Sequence, residues 1–287
     1  MDKKNFGQKI LYSPLTKILI AIIVFLCIYV IRDIIRELLM DMDLHDNIKH
    51  LIRGVFIISI TIISYSLLYI FFEKKIFTDF FVNSLGKNLF VGLFLGVVIQ
   101  SLIILVMYLK GYYTVISINP NSFLFIIPAL MLPLTTSILE ETLFRGFIFR
   151  IIEEKLGSYI AMIISGFLFG ILHFIDPNCS LFEALLISIP GLLLVVAYMY
   201  SRNLWFPIAI HFAWNFTQDF IYGVYETGRS LIIPTLEGSK WFTGGVIGVE
   251  GSIQAIIFSL IATIILLLLC HKKGKVKKPY WEKTTNR

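Results

Sequence analysis

The sequence predicts an all-α, polytopic membrane protein with about eight transmembrane helices. Of its 287 residues, 57% are hydrophobic and only 15% are charged, and apolar stretches close to the length of a membrane span recur along the chain. The mean hydropathy of +0.83 excludes a soluble globular domain. Each stretch is expected to be helical in lipid, because the bilayer offers the backbone no other hydrogen-bond partners.

The expected helices follow these stretches in chain order. They lie near Ile18–Ile31, Gly54–Phe72, Leu89–Leu109, Phe123–Arg150, Ser158–Ile175, Leu181–Tyr200, Asn203–Gly223 and Val246–Cys270. No repeat or low-complexity linker divides them, so we expect one integral membrane domain over residues 1–287. The segment Arg32–Arg53 is predicted to be a loop with an amphipathic part on the membrane surface, and Tyr222–Gly245 is predicted to be irregular.

The basic residues predict the orientation of the chain in the membrane. Eight spans place both termini on one side, and the tail 271–287 is rich in lysine. The positive-inside rule therefore favours cytoplasmic N and C termini, and we expect a bacterial plasma membrane. The net charge of +6 comes mostly from this tail. We expect the tail to be solvated and unstructured, with contact to anionic lipid headgroups of the bilayer as the alternative, and no nucleic-acid-binding module is evident.

The fourth predicted helix carries an unusual amount of charge, in the stretch SILEETLFRGFIFR, Ser137–Arg150. A charged side chain at the bilayer centre costs ~2.5 to 3.5 kcal/mol on insertion scales. Glu141 and Arg145 are four residues apart, so they share a helix face and are predicted to form an ion pair, which by itself fits a structural role. Glu140 points ~100° away and therefore needs water or another partner.

Two later helices carry polar residues at one-turn spacing. His173 shares a face with Phe169 in FLFGILHF, and His211 shares a face with Asn215 in HFAWNF. Taken alone, a membrane histidine often joins two helices by a hydrogen bond. The helical rise, however, places Glu140, both histidines and Asn215 near the middle of a hydrocarbon core about 30 Å thick. This shared depth on three helices favours a functional site.

Three motifs on helices 4, 5 and 7 together resemble the CPBP family. They are E-E-x-x-x-R (Glu140, Glu141, Arg145), F-x-x-x-H (Phe169, His173) and H-x-x-x-N (His211, Asn215). That family groups CAAX prenyl proteases of the Ras-converting-enzyme type with bacteriocin-processing and self-immunity (Abi) proteins. The resemblance covers about residues 123–223. It implies an intramembrane endopeptidase that acts on a membrane-embedded or lipidated substrate, such as a prenylated CAAX protein or a leader peptide.

The resemblance also implies catalytic roles that suit these residue types. Glu140 would be the general base that deprotonates water, and His173 would share that water. His211 and Asn215, one turn apart, would donate hydrogen bonds to the tetrahedral oxyanion.

The supporting residues and the metal leave alternatives open. Glu141 and Arg145 would position the catalytic helix, or Arg145 would bind a substrate carboxylate. Family members are commonly labelled metalloproteases, and Glu140, His173 and His211 are the candidate ligands of a zinc site. Because no HExxH helix occurs, we favour direct activation of water without a cofactor.

Other function classes remain as alternatives. A non-proteolytic immunity or scaffolding protein would use the same residues to join helices. A rhomboid-like serine protease would use Ser165 with His211, but Ile163 replaces the glycine of GxSG. A proton-coupled transporter is disfavoured because we find no matching pair of broken helices. The oligomeric state is not predicted.

The distribution of charge predicts the side from which substrate enters. The predicted inner boundary carries Arg145, Arg150, Lys155 and Arg202. Cations there would attract an anionic peptide terminus, whereas Asp176 and Glu183 at the outer ends would repel one. We therefore expect access from the cytoplasmic side, with lateral access between helices as the alternative.

Overall fold

The computed structural model describes residues 10–74, 80, 84–175, 179–225 and 228–284. The longer helices are α1 (Pro14–Met40), α2 (Asp46–Glu73), α3 (Leu85–Leu109), α4 (Ile126–Glu141), α5 (Arg150–Leu172), α6 (Leu181–Ser201), α7 (Trp205–Phe216) and α9 (Ile253–Lys272). The short helices are α8 (Lys240–Thr243) and α10 (Tyr280–Thr284). π-Helices extend α4 over Thr142–Phe149 and α7 over Thr217–Ile221, and 3₁₀ turns lie at Ser122–Phe125, His173–Ile175 and Gly245–Gly251.

The predicted all-α membrane architecture is confirmed. Among the described residues, six helical segments are long and apolar enough to cross a membrane, and Ser122–Leu172 counts as one of them with 51 residues. That segment is broken at Gly157, whose backbone angles, φ 78° and ψ 170°, are not helical. α7 has only 12 residues and is not among the six. The count of eight spans therefore stays a prediction.

The first two helices are longer than predicted, and the predicted loop Arg32–Arg53 is wrong. α1 continues to Met40 and α2 begins at Asp46, so only a short turn separates them. The apolar residues of the presumed surface segment continue the helical periodicity of α1, which explains why no break occurs there. As a result, Arg32, Arg36 and Arg53 lie on α1 and α2 and not in a loop.

Glycines on α3 allow it to lie against α7. A Cβ atom added at Gly92 would meet Ala209 and the carbonyl oxygen of Phe206. One added at Gly96 would meet Ala213 and the carbonyl oxygen of Ile210. This G-x-x-x-G spacing removes side-chain bulk from one face and permits close backbone approach. α3 thereby supports the helix that carries His211.

A two-stranded antiparallel sheet covers the end of the bundle at which α1 ends and α2 begins. Strand β1 (Tyr113–Ile118) pairs with β2 (Ile232–Leu236), with Tyr113 opposite Leu236 and Ile118 opposite Ile232. The prediction of an irregular segment over Tyr222–Gly245 is therefore wrong for β2. β-Branched isoleucine and threonine in β2 favour the extended conformation, and the pairing partner lies more than a hundred residues away.

The prediction of a solvated C-terminal tail is also wrong for its first part. Ser158 donates its backbone N–H to the carbonyl oxygen of Lys277 at 2.9 Å, and the N–H of Lys277 donates to the Ser158 hydroxyl at 2.8 Å. A side chain at Gly157 would strike the backbone of Lys277 and Pro279. The tail therefore packs against the corner between the two halves of the broken segment.

Glu153 anchors this corner. Its carboxylate is fully buried and accepts two hydrogen bonds from Arg202, at 2.6 and 2.8 Å, and one from Ser158 at 2.6 Å. Lys277 Nζ lies 2.8 Å from the same carboxylate. Burial lowers the pKa of Arg202, but the hydrogen bonds and charge of Glu153 outweigh burial and raise it overall. One carboxylate thus joins α5, the end of α6 and the tail.

We expect Glu153→Ala to lower the melting temperature strongly. It leaves Arg202 without its carboxylate, and the loss of one partner of a buried pair costs about 3 kcal/mol or more. Glu154, which is exposed, gives the matched control Glu154→Ala. Thermal unfolding in detergent would measure the difference, and equal melting temperatures for the two variants would contradict the anchoring role.

Candidate active site

The site lies where α4 changes into a π-helix. Glu140 and Glu141 end α4, and all eight residues of the π-helix Thr142–Phe149 are buried. π-Helical turns are rare and occur frequently at functional sites. The wider π turn follows directly after the two glutamates.

The Glu141–Arg145 ion pair is confirmed. Arg145 donates from Nη1 to Glu141 Oε1 at 2.9 Å, and both side chains are fully buried. Arg145 also donates from Nη2 to the carbonyl oxygen of Gly191 on α6 at 2.9 Å. Its guanidinium lies over the ring of Phe169, 4.6 Å from the ring centroid. The arginine therefore connects the π-helix with α5 and α6.

Glu141 has a second partner that was not predicted. His211 Nδ1 lies 2.9 Å from the same oxygen, Glu141 Oε1. An ionised carboxylate can only accept, so Nδ1 carries the proton and donates it. This hydrogen bond fixes the ring orientation and leaves Nε2 to face Glu140.

Glu140 Oε2 lies 4.0 Å from His211 Nε2. This gap is too long for a direct hydrogen bond and suits a bridging water. The other carboxylate oxygen of Glu140 accepts a hydrogen bond from the Tyr29 hydroxyl of α1 at 3.1 Å. Its side chain keeps 12% of its exposure, unlike the fully buried Glu141. The two adjacent acids therefore have different environments, as the helix geometry predicts.

His173 lies in the 3₁₀ turn that ends α5, and its contacts differ from those predicted. Its Nδ1 is 3.1 Å from the carbonyl oxygen of Phe169, and the two rings lie 5.3 Å apart. Phe169 also packs edge-on against His211, at 5.9 Å between ring centroids. His173 is thus connected with the site only by its contact with Phe169 among the described residues. It makes no hydrogen bond or ion pair with Glu140.

Asn215 lies beside His211 on the wall of a small cavity of about 30 Å³. The lining includes Phe169, Trp214 and Glu250. Such a volume has room for about one water molecule. The Asn215 amide makes no hydrogen bond with the described residues, so it is available to a ligand in this cavity.

Sequence reasoning missed Glu250 and Tyr29 as members of the site. Glu250 is held by Gln218, which donates at 3.4 Å and in turn accepts from Gln100 at 3.3 Å. Glu250 stands alone in a glycine-containing loop, and Tyr29 stands alone in an apolar helix. Neither position has a spacing that connects it with the three motifs, so only the packing of α1 and of the 3₁₀ turn that precedes α9 reveals them.

The predicted zinc ligands are not assembled in this arrangement. Across the residues that the structure describes, no three His, Cys, Asp or Glu side chains are placed to hold one metal ion. Glu140 and His211 approach each other, whereas His173 is bonded to a backbone carbonyl. The residues as placed do not fit a three-ligand metal site.

Ser165, the nucleophile of the serine-protease alternative, is fully buried and donates its hydroxyl to the carbonyl oxygen of Phe144 at 3.1 Å. It makes no hydrogen bond with His211. The geometry therefore does not support that alternative.

The cations expected to steer substrate from the cytoplasmic side have partners. Beyond Arg145, Arg150 lies 3.9 Å from Glu73 and donates to a backbone carbonyl. Arg202 is bound to Glu153, and Lys155 lies over the ring of Tyr280. Because these cations are already paired, they attract an anionic substrate less strongly than the sequence predicted. The expectation of substrate access from the cytoplasmic side is therefore weakened. The predicted repulsion at the other end involves Asp176, which lies outside the described residues.

Comparison with known proteins places the central part of the chain in a family context. Residues 120–217 match the family described as Type II CAAX prenyl endopeptidase Rce1-like. A Bacillus subtilis (strain 168) protein named "Putative membrane peptidase YdiL" is 32% identical over 102 residues, which are 34% of this chain and 40% of that protein. No solved structure matches the chain. The predicted resemblance to the CPBP family is therefore confirmed, and the match includes all seven motif residues.

We expect Arg145→Ala to lower the melting temperature more than Glu141→Gln does. The alanine leaves the buried Glu141 carboxylate without its cation, which costs about 3 to 5 kcal/mol, whereas glutamine keeps an oxygen that can accept from Arg145. Lys110→Ala, at an exposed position, is the control for loss of a positive charge. Indistinguishable melting temperatures together with weaker substrate binding would instead favour a substrate-contact role for Arg145.

Proposed function

We propose that this integral membrane protein is an intramembrane endopeptidase that hydrolyses peptide bonds of membrane-associated substrates with directly activated water. The observation that carries the proposal is the 4.0 Å gap between Glu140 Oε2 and His211 Nε2, with His211 oriented by the buried Glu141. The family match and the name of the Bacillus subtilis relative support a peptidase. The matched segment covers only 40% of that relative. The comparison therefore does not establish the activity or the substrates of the whole chain, and both are part of this proposal.

In the proposed reaction, water occupies the gap between Glu140 and His211. Glu140 takes a proton from the water as its oxygen bonds to the scissile carbonyl carbon. The carbonyl oxygen becomes an oxyanion that accepts hydrogen bonds from the Asn215 amide and from Nε2–H of His211. The second bond requires the imidazolium form of His211, because Nδ1–H already donates to Glu141. The C–N bond then breaks, and Glu140 returns the proton to the leaving amine. Glu141 and Arg145 act as positioning residues, because they hold His211 and the π-helix in place.

His173 has two candidate roles in this proposal. In the first, its ring rotates to share the water with Glu140, as the family resemblance implies. In the second, it supports Phe169, which packs against His211 and Arg145. His173 contacts Phe169, and Phe169 in turn contacts His211. This arrangement favours the second role before substrate binds.

We expect Glu140→Gln to abolish turnover at normal expression, because loss of a general base typically costs a factor of 10² to 10⁴. Mass spectrometry of peptides released by cells that carry either the wild type or the variant would identify products at the same time. Glu154→Gln, at an exposed site on α5, controls for the loss of one carboxylate. If Glu140→Gln cells release the same peptides as wild-type cells, a non-proteolytic immunity or scaffolding role takes the place of the proposal.

We expect His211→Ala to reduce turnover at least as strongly as His173→Ala, because only His211 contacts both glutamates. Peptide cleavage by the purified variants would be compared below the melting temperature of each, because His211→Ala removes a donor from the buried Glu141 and is expected to lower the melting temperature. A fully active His211→Ala variant would contradict the proposed roles.

Metal analysis of the purified protein tests direct activation of water against the zinc mechanism. Stoichiometric zinc that is lost together with activity on chelation would favour the zinc mechanism.

A further inference from the structure

A cavity of about 230 Å³ opens beside the catalytic helix, toward the end of the bundle at which α1 ends and α2 begins. Its charged wall comes from α1 and α2. The charged and hydroxyl-bearing residues of the lining are Arg32, Asp33, Arg36, Arg53, Thr135 and Thr136. We name this space the arginine cavity. Its three arginines come from the segment that precedes the family-matched region.

The arginine cavity adjoins a second one of about 280 Å³, and the two share Arg36 and Arg53. The second cavity adds Lys49, Arg229 and Asp46 to the charged lining. Among the described lining residues of the two cavities, five are cations and two are carboxylates, and the three arginines of α1 and α2 are the cations that both helices bring together. Such an excess of one sign in a concave site creates a positive potential that attracts anions.

The positive charge in the arginine cavity is poorly neutralised by the protein. Arg32 pairs with Asp33 at 3.3 Å, and Arg36 pairs with Glu37 at 3.0 Å, but both pairs join sequence neighbours at exposed positions. Exposed pairs of this kind are worth 0 to about 1 kcal/mol. Arg53 is half-buried and forms no ion pair with any described residue. Guanidinium groups crowded in this way repel one another, and a bound anion would remove that repulsion.

The arginine cavity is connected with the catalytic glutamate by two routes. Thr136 lines it and lies one turn before Glu140 on the same face of α4. Arg32 lies over the ring of Tyr29, 4.9 Å from the centroid, and the Tyr29 hydroxyl donates to Glu140. An anion bound here would therefore lie close to the water that Glu140 activates.

We propose that the arginine cavity binds a carboxylate of the peptide substrate and sets its register against Glu140. The inference rests on the proposed endopeptidase function. The four residues from Thr136 to Glu140 rise about 6 Å along the helix. The arginine side chains extend beyond that distance, and an extended peptide advances about 3.3 Å per residue. The recognised group is thus an acidic side chain or chain-terminal carboxylate roughly two to four residues from the scissile bond.

The position of the cavity favours a peptide over a lipid headgroup as the source of this anion. Threonine hydroxyls of the catalytic helix form part of its wall, and they suit hydrogen bonds to a peptide that already lies along α4. Guanidinium groups bind carboxylates in a bidentate geometry. Arg53, which forms no ion pair with any described residue, is expected to contribute most.

The test measures binding, so that it does not depend on cleavage. The Glu140→Gln protein in lipid-free detergent is titrated with two fluorescent apolar hexapeptides that differ only in ending with a carboxylate or a carboxamide. We expect the carboxylate peptide to bind roughly tenfold or more tightly, as for a hydrogen-bonded charged group. Adding Arg53→Gln should remove this preference, and Arg53→Lys should retain part of it.

Lys110→Gln is the matched control, because it removes a cation from an exposed position at the same end of the bundle, and it should keep the preference. Equal affinity for the two peptides in the Glu140→Gln protein would overturn the proposal, as would a preference that survives Arg53→Gln. A dependence on Arg53 that appears only in vesicles with anionic lipid, and equally for both peptides, would identify a lipid site instead. Hydrolysis by the otherwise wild-type protein is scored separately, so failure of the endopeptidase function is distinguishable from failure of carboxylate binding.

Discussion

The buried carboxylate of Glu141 is the constraint on which the rest of the site depends. An isolated carboxylate in this environment would cost many kcal/mol, so it requires both the Arg145 guanidinium and the His211 imidazole as donors. These two donors come from the π-helix and from α7. Satisfying one acid therefore brings two elements together and fixes the direction of the histidine that faces Glu140. Stability and the proposed catalytic geometry therefore depend on the same hydrogen bonds to Glu141.

The helix packing around that carboxylate follows from small and aromatic residues. Glycine spacing on α3 lets α7 approach closely, and Phe169 on α5 contacts Arg145, His173 and His211. The aromatic ring excludes water from one side of the site, whereas the gap before Glu140 remains partly accessible. An apolar wall at Phe169 next to a partly exposed Glu140 suits a reaction in which one bound water molecule is activated.

The charged residues are divided between the two ends of the bundle. At the end where α1 begins, Arg150 and Arg202 have carboxylate partners and Glu153 binds Lys277 of the tail. At the opposite end, arginines from α1 and α2 crowd around cavities with few acids. Paired charges stabilise the fold and offer little attraction to a ligand. Tyr29 and the arginines of α1 and α2 lie outside residues 120–217, the segment that the family model matches.

The sequence by itself determined the all-α membrane class, the approximate helices, the Glu141–Arg145 pair and the set of motif residues, because apolar length and one-turn spacing are local properties. The tertiary structure decided the contacts between distant segments: His211 with Glu141, Tyr29 with Glu140, Glu250 beside Asn215, and the tail at Gly157. The structure also placed His173 against Phe169 and not against Glu140. The spacing of residues along a chain specifies which side chains share a helix face, but it does not specify which faces of separate helices meet. That choice depends on close packing and on the pairing of buried charges such as Glu141.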